Sequence, residues 1–197
     1  MVVITPAAEF TNMYRNASLA AELSERQVQV VDSRTATAGQ GLVVLAAAEA
    51  SRAANLDDAV AAAEEAATRV ELVACLETLE YLRQSGRVPA LAVSLADHLG
   101  VRPVFRLRAG MAERLALPRS EEGAISRIAR EWRAGGGPTA QCTAVFHAAR
   151  PERAAELSGR LRGVSFVAEF SPAMAIHTGP GVVGVAWLRA IDDEPEL

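Results

Sequence analysis

Two side chains near the end of the chain have the types and the spacing to bind an anion. His177 supplies an imidazole and Thr178 a hydroxyl, and both stand immediately before the turn sequence Gly179-Pro180-Gly181. Glycine permits positive φ angles and the close approach of a ligand, and proline fixes one φ angle. We therefore expect a rigid loop that presents His177, Thr178 and bare backbone N–H groups to an anion.

Other chemistry finds little support in the sequence. Gly179-x-Gly181-x-x-Gly184 matches the dinucleotide fingerprint in form, but a strand-like run follows where that motif requires a helix. The histidines have no metal-ligand spacing, and the sequence contains neither a phosphate-binding loop nor a nucleophile elbow. We expect no metal site and no cofactor. An enzyme that uses His177 as a general base stays open as a hypothesis, although no nucleophile accompanies the histidine.

The composition excludes several classes of partner. Of the 197 residues, 50% are hydrophobic and 22% are charged, and the formal net charge is −4. This balance gives no basic surface for nucleic acid or for an anionic membrane. Every cationic side chain is arginine, so catalysis by a lysine is excluded as well.

The cysteines and the N-terminus favour a soluble, cytoplasmic protein. Cys75 and Cys142 lie far apart in apolar runs, which predicts two buried free thiols in a reducing compartment. The first residues lack the basic region and the long apolar run of a signal peptide. The uncharged stretch 170–188 is long enough to cross a bilayer, but its prolines, glycines and histidine argue against a membrane helix.

Hydrophobic periodicity predicts an α/β protein. A strand–helix–strand unit typical of parallel pairing comes first, and two alanine-rich helices follow it, with Asn55 as a capping residue between them. Strands and helices then alternate, with a hairpin turn at Ala109-Gly110 and a helix stop at 135–138. The predicted strands are 2–5, 28–32, 70–76, 101–107, 111–117, 139–147, 164–170 and 182–188. The predicted helices are 9–24, 39–54, 58–68 after the break at 55–57, 78–85, 88–99, 120–133 and 151–162.

We expect two domains. Residues 1–69 form a partial N-terminal βαβ domain with a helical connection, and residues 70–197 form a C-terminal α/β domain with a mixed sheet. A two-stranded parallel sheet is not stable alone, and parallel sheets are normally covered on both faces. The rest of the chain, a partner subunit or upstream residues must complete the first sheet. A homodimer through this open sheet is therefore one prediction.

Three further sites, one of them a segment of three residues, carry polar side chains. Each has a functional and a structural interpretation. Asp32-Ser33-Arg34 follows a strand, where α/β proteins bind ligands, but it also suits a turn and helix cap. Arg87 follows the helix stop Gly86, and its guanidinium suits a carboxylate or a phosphate, or else an exposed ion pair. His147 ends a strand, where a single histidine is more often structural than catalytic.

Four segments of the chain stand out in combination. They are Val30-Val31-Asp32-Ser33-Arg34, Thr78-Leu79-Glu80-Tyr81-Leu82-Arg83-x-x-Gly86-Arg87, Arg102-Pro103-Val104 and His177-Thr178-Gly179-Pro180-Gly181. Together they resemble the DegV family of bacterial fatty-acid-binding proteins. Their order and spacing are similar to those of the family, and the similarity extends over essentially the whole chain.

The resemblance implies a non-catalytic carrier. It implies one long-chain fatty acid in an interior tunnel between two α/β domains, with no cofactor besides this ligand. It also implies a partner fatty acid kinase, which phosphorylates the acyl carboxylate for phospholipid synthesis. His177, Thr178 and the adjoining glycines Gly179 and Gly181 then belong to the carboxylate region, with Arg87 as a further member.

The first domain departs from the family pattern. The family's first domain begins well before this chain does, and its serine-rich loop appears here as Ala7-Ala8-Glu9-Phe10-Thr11. Alanine stands where a carboxylate-binding serine is expected, Glu9 brings a negative charge, and Thr11 is the substitute donor. The alternative function is therefore a truncated or degenerate scaffold that binds no lipid and acts through protein–protein contacts.

Overall fold

The chain begins with the predicted strand–helix–strand unit. A computed structural model describes residues 1–52, 55–85 and 100–191. Strands β1 (Val2–Thr5) and β2 (Gln29–Asp32) pair in parallel, and helix α1 (Met13–Glu22) connects them. The helix begins at Met13, four residues after the predicted start at residue 9. The chain first turns back, with the Phe10 N–H bonded to the Ala7 carbonyl, and the Thr11 hydroxyl then accepts the N–H of Met13.

Two alanine-rich helices follow β2. Helix α2 spans Thr37–Ser51 and helix α3 spans Leu56–Arg69. The predicted cap at Asn55 is confirmed, because its side chain accepts the N–H groups of Asp57 and Asp58. Asp58 accepts the Asn55 N–H in return, which completes a capping box.

The larger sheet has six strands in the order β5-β4-β3-β8-β6-β7. All neighbours are antiparallel except β6 and β7. The β4–β5 hairpin turns at Ala109 and Gly110, which both have positive φ angles, as a tight two-residue hairpin requires. The strands are β3 (Val70–Cys75), β4 (Val104–Arg108), β5 (Met111–Ala116), β6 (Cys142–His147), β7 (Phe166–Glu169) and β8 (Val183–Leu188).

Helices cover both faces of this sheet. On one face α2 and α3 contribute to an apolar cluster with Leu72 and Phe146. On the other face α5 (Glu121–Ala134) and α6 (Pro151–Arg160) enclose a second cluster around Trp132 and Trp187. Helix α4 (Glu80–Gln84) follows β3, and a 3₁₀ turn, Gly137–Thr139, follows the glycine stop of α5. None of the helices in the described part of the chain is long and apolar enough to cross a membrane.

One element was not predicted. Helix α7 occupies Pro172–Thr178, so His177 and Thr178 lie in its last turn rather than in a loop. The other elements differ from prediction mainly at their ends; for example, β6 begins at Cys142 rather than at residue 139. The helix predicted at 88–99 lies outside the described residues.

The division into two domains stays a prediction. Helix α3 ends at Arg69 and β3 begins at Val70, but one apolar cluster includes Val31 and Leu42 as well as Leu72. Among the described strands, β1 pairs with β2 alone, so its other edge has no described neighbour. The first sheet is thus small and parallel, and the second is larger and mixed, as predicted.

A buried carboxylate holds β3 to its neighbours. The Glu71 side chain is 5% exposed and lies 3.5 to 3.7 Å from the guanidinium groups of Arg106, Arg108 and Arg189. Arg106 also bonds Glu131 of α5 at 2.7 Å. Because a buried charge is costly without partners, these pairs make the position of β3 depend on β4, β8 and α5 together.

Removal of this charge should destabilise the fold. For Glu71→Gln we expect a loss of about 3 kcal/mol in the free energy of unfolding, because the partly buried Arg106 and Arg189 lose the buried charge that lies between them. Urea unfolding can be followed by the fluorescence of the buried Trp132 and Trp187. Glu113→Gln is the matched control: Glu113 also pairs with Arg106 but is 66% exposed, so about 0.5 kcal/mol is expected. Equal losses in the two variants would contradict this role.

Candidate functional site

An apolar cavity of about 300 Å³ lies between the first βαβ unit and the six-stranded sheet. Its walls come from the loop before α1, the start of α2, the sheet, and helices α4 and α7. Most lining side chains are aliphatic or aromatic, and four carry polar groups: Thr11, Thr37, His177 and Thr178. The apolar lining residues are Pro6, Phe10, Met13, Ala36, Leu72, Ala74, Leu76, Leu82, Phe105, Leu107, Ala112, Phe146, Phe170, Ala173, Met174 and Val182.

His177 lines the cavity from the last turn of α7. Its Nδ1 atom is buried and has no hydrogen-bond partner among the described residues. The helix begins with Pro172 at its first position and ends before Gly179, which is the usual placement of both residue types. Unpaired buried polar atoms are uncommon in proteins and call for an explanation. A hydrogen-bonding ligand in the cavity would supply the missing partner.

The two predicted hydroxyls also line the cavity, but each already has a protein partner. The Thr178 hydroxyl donates to the carbonyl of Met174 at 3.2 Å, one turn earlier in α7. The Thr11 oxygen accepts the N–H of Met13 at 3.3 Å. Thr11 is distant in sequence from His177 and Thr178, and the fold brings it to the same cavity.

The N–H groups of the two glycines in this segment already have protein partners. The Gly179 N–H donates to the Ala175 carbonyl, and the Gly181 N–H donates to the Ala148 carbonyl. Neither N–H group is therefore free to bond an anion, and the assignment of these glycines to the carboxylate region stays a prediction. Both have positive φ angles, and a Cβ atom on Gly179 would clash with the ring of Tyr81. They shape the turn between α7 and β8.

The loop at residues 7–9 contributes no side chain to the cavity wall. Ala7 is fully buried, and its N–H donates to the Thr35 carbonyl. Glu9 lies against the β4–β5 turn, where a Cβ on Gly110 would be 2.7 Å from a carboxylate oxygen of Glu9. The negative charge of Glu9 is thus directed to the hairpin and does not line the cavity. Arg87, the remaining predicted site residue, lies outside the described residues.

Two other polar positions have structural roles. Asp32 accepts the N–H groups of Arg34 and Ala8, so it joins the loops that follow β1 and β2. His147 is 7% exposed, and its Nδ1 atom accepts the N–H of Arg150. No group of His, Cys, Asp or Glu side chains suited to a metal ion occurs among the residues that the structure describes.

Sequence reasoning missed Thr37. This residue begins α2, has a φ angle of 55°, and carries a buried Oγ1 atom without a partner in the described chain. Its position just after the Asp32-Ser33-Arg34 segment was a signal, because ligands often bind beyond the carboxyl ends of parallel strands. The unusual backbone angle has no signal in the sequence.

A family model described as "Uncharacterised protein, DegV family" matches residues 1–190. The chain belongs to the DegV family. A DegV domain-containing protein of Streptomyces coelicolor is 37% identical over 189 residues, which cover 91% of this chain and 66% of that protein. A relative in Mycobacterium tuberculosis is 31% identical over 94% of this chain and 69% of its own length. The chain thus spans about two thirds of the length of these relatives.

Solved structures of DegV proteins have the same fold. The DegV family protein Cg2579 of Corynebacterium glutamicum has a TM-score of 0.86 and 24% identity, over 96% of this chain and 75% of that one. A DegV family protein from Thermus thermophilus, reported as fatty-acid-binding, has a TM-score of 0.84 and 25% identity. The match covers 96% of this chain and 70% of that one. DegV of Bacillus subtilis, a fatty acid binding protein, matches with a TM-score of 0.80 over 96% of this chain and 71% of that one.

A buried thiol lies on the opposite side of β3 from the cavity of this DegV chain. Cys75 packs with the cluster around Trp132, whereas its neighbour Ala74 lines the cavity. Burial raises the pKa of the Cys75 thiol from 9.0 to about 12, and Arg102 lowers it only in part. Because the thiolate is the reactive form, this thiol is not an available nucleophile at neutral pH. Both cysteines are free, as predicted, although Cys142 is only half-buried.

Alkylation should reveal the protection of Cys75. In a Cys142→Ser background, we expect native protein at about pH 8 to resist iodoacetamide, because burial holds the thiol in its protonated form. The same protein should react fully in concentrated urea, as measured by the mass increase. Fast labelling of the folded protein would contradict the buried position of this side chain.

Proposed function

We propose that this chain is a fatty-acid-binding carrier that holds one long-chain acyl group in the cavity, with the carboxylate near His177. The observation that carries this proposal is an apolar cavity whose wall contains a buried, unpartnered imidazole nitrogen. An aliphatic tail with one polar head matches that lining. The Thermus thermophilus and Bacillus subtilis relatives, reported as fatty-acid-binding, support the same ligand class.

Burial of the tail supplies most of the binding energy in this proposal. Each buried methylene contributes about 0.8 kcal/mol, so a long acyl chain gains on the order of 10 kcal/mol before the costs of association. A hydrogen bond to a charged carboxylate contributes roughly 1.5–3 kcal/mol. The polar groups of the cavity therefore orient the ligand more than they retain it.

The proposed carrier acts without catalysis of its own. It presents the carboxylate to a partner fatty acid kinase, which transfers a phosphoryl group to form an acyl phosphate for phospholipid synthesis. The free thiols Cys75 and Cys142 support a reducing cytoplasm as its compartment. Of the carboxylate-region residues predicted from the sequence, His177, Thr178 and Thr11 line the cavity, and Arg87 stays a prediction.

Organic extracts of purified protein test the proposal. We expect mass spectrometry to find about one fatty acid per chain, and His177→Leu to bind added palmitate about ten-fold more weakly because it removes one polar anchor. Ile176→Ala is the matched control, since Ile176 is 69% exposed on the same helix and does not line the cavity. If wild-type protein carries no fatty acid and takes none up, the carrier function is wrong.

The alternative function rests on a second surface. A groove of about 440 Å³ lies beside β1, between Val2 and Ile4 of the strand and Val44 and Ala48 of α2. Val44 and Leu45 of α2 are 42% and 50% exposed. An uncharged strand edge beside an apolar groove favours pairing with another strand. We propose that, if lipid binding is lost, a second copy pairs through this first sheet.

Sedimentation of the purified protein distinguishes the two functions. The scaffold alternative predicts a lipid-free dimer, which Val44→Arg should dissociate because it places a charge in the groove. Leu23→Arg is the control, since Leu23 is 88% exposed and outside the groove. A monomer with one acyl chain bound would exclude the alternative.

A further inference from the structure

We propose that Thr37 is the hydroxyl that orients the fatty-acid carboxylate, together with the first turn of α2. The inference rests on the proposed function, because it assigns a residue to the polar end of the same ligand. Thr37 lines the cavity, and its Oγ1 atom is buried without a partner in the described chain.

The other hydroxyls in the cavity wall each have a protein partner. Thr178 donates its proton to a carbonyl of its own helix, and the Thr11 oxygen accepts a backbone N–H while it keeps its own proton. Thr37 makes neither kind of bond. Among the polar side chains that line the cavity, Thr37 and His177 are therefore the two with an unpartnered buried atom. Both therefore carry a polar atom that is open to a ligand in the cavity.

The backbone at Thr37 is held in an unfavourable conformation. Its φ angle of 55° lies in the left-handed region, which β-branched residues rarely adopt. The surrounding contacts fix this path, since the Ala7 N–H bonds the Thr35 carbonyl and the Gly110 N–H bonds the Arg34 carbonyl. Strain of this kind is concentrated at ligand-binding sites, where the surrounding structure imposes it.

The start of α2 suits a negative charge. The helix has 15 residues, no acidic side chain in its first turn and no side-chain cap on its N-terminal N–H groups. Aligned peptide dipoles make such a terminus favourable for an anion. An unpartnered hydroxyl at the first helical residue and an adjoining cavity distinguish this terminus from that of α3, which Asn55 and Asp58 cap.

The loop after β1 offers the ligand no hydroxyl at residues 7–9. Ala7 and Ala8 have no polar side chain, and their N–H groups already bond Thr35 and Asp32. Glu9 faces the hairpin. Residues 6–9, which follow β1, therefore carry no side-chain hydrogen-bond donor. The loop after β2, in contrast, leads directly to Thr37.

Selectivity for the acid over its methyl ester tests this assignment. Palmitate and methyl palmitate compete for the cavity with a fluorescent fatty acid, in delipidated wild type and in three variants. We expect Thr37→Val to weaken palmitate about ten-fold and the ester much less, because valine keeps the shape and removes a hydroxyl that bonds a carboxylate more strongly than an ester carbonyl. Thr37→Ser should restore the selectivity. Thr37→Gly should behave like Thr37→Val. Glycine also removes the strain of the positive φ angle, so this variant tests the loss of the hydroxyl without a loss of stability from the backbone.

The outcomes separate this inference from the proposed function. Equal weakening of acid and ester in Thr37→Val and Thr37→Gly would mean a packing role and would overturn the assignment. Unchanged palmitate affinity would overturn it as well, with fatty-acid binding intact. Wild-type protein that binds neither ligand would overturn the proposed function and this inference together.

Discussion

An apolar cavity persists inside a protein only if its walls cannot close, because interiors otherwise pack to crystal-like density. Strands β3, β4 and β6 form one wall of this cavity and are supported from behind. Glu71 joins β3 to β4 and α5 through ion pairs, and Trp132 and Trp187 fill the space beneath the sheet. Phe146 and Phe170 stack at a centroid distance of 5.3 Å within the lining. The tight packing on the tryptophan face of the sheet thus prevents the opposite face from moving into the cavity.

The positions of the polar groups follow from the same architecture. Thr37 begins the helix after β2, and His177 ends the helix before β8, so each is held by an element rather than by a free loop. In the hairpin turn, the Gly110 N–H donates to the Arg34 carbonyl, and Gly110 lies against Glu9. These two contacts join the larger sheet to the first βαβ unit. A displacement of either part would change the cavity and its polar groups together.

Sequence patterns predicted the fold class, the parallel first sheet, the mixed second sheet and the cap at Asn55. They failed where two signals competed. In residues 172–181, the turn sequence Gly179-Pro180-Gly181 predicts a loop. Pro172 and Gly179 instead mark the start and the end of a short helix. Thr37 was missed because its backbone angle arises from contacts of Thr35 and Arg34 with distant segments. Local propensity holds no information on such contacts.

Under the proposed function, the energetics of the cavity fit a carrier better than a permanent lipid store. The acyl tail would gain most of its free energy from burial, which depends on chain length and barely on the head group. The head group would bond His177 and Thr37, whose buried atoms have no partner in the described chain. These two bonds would fix the orientation of the carboxylate. A partner that competes for the carboxylate would need to replace only these two contacts, while the buried tail stays in place.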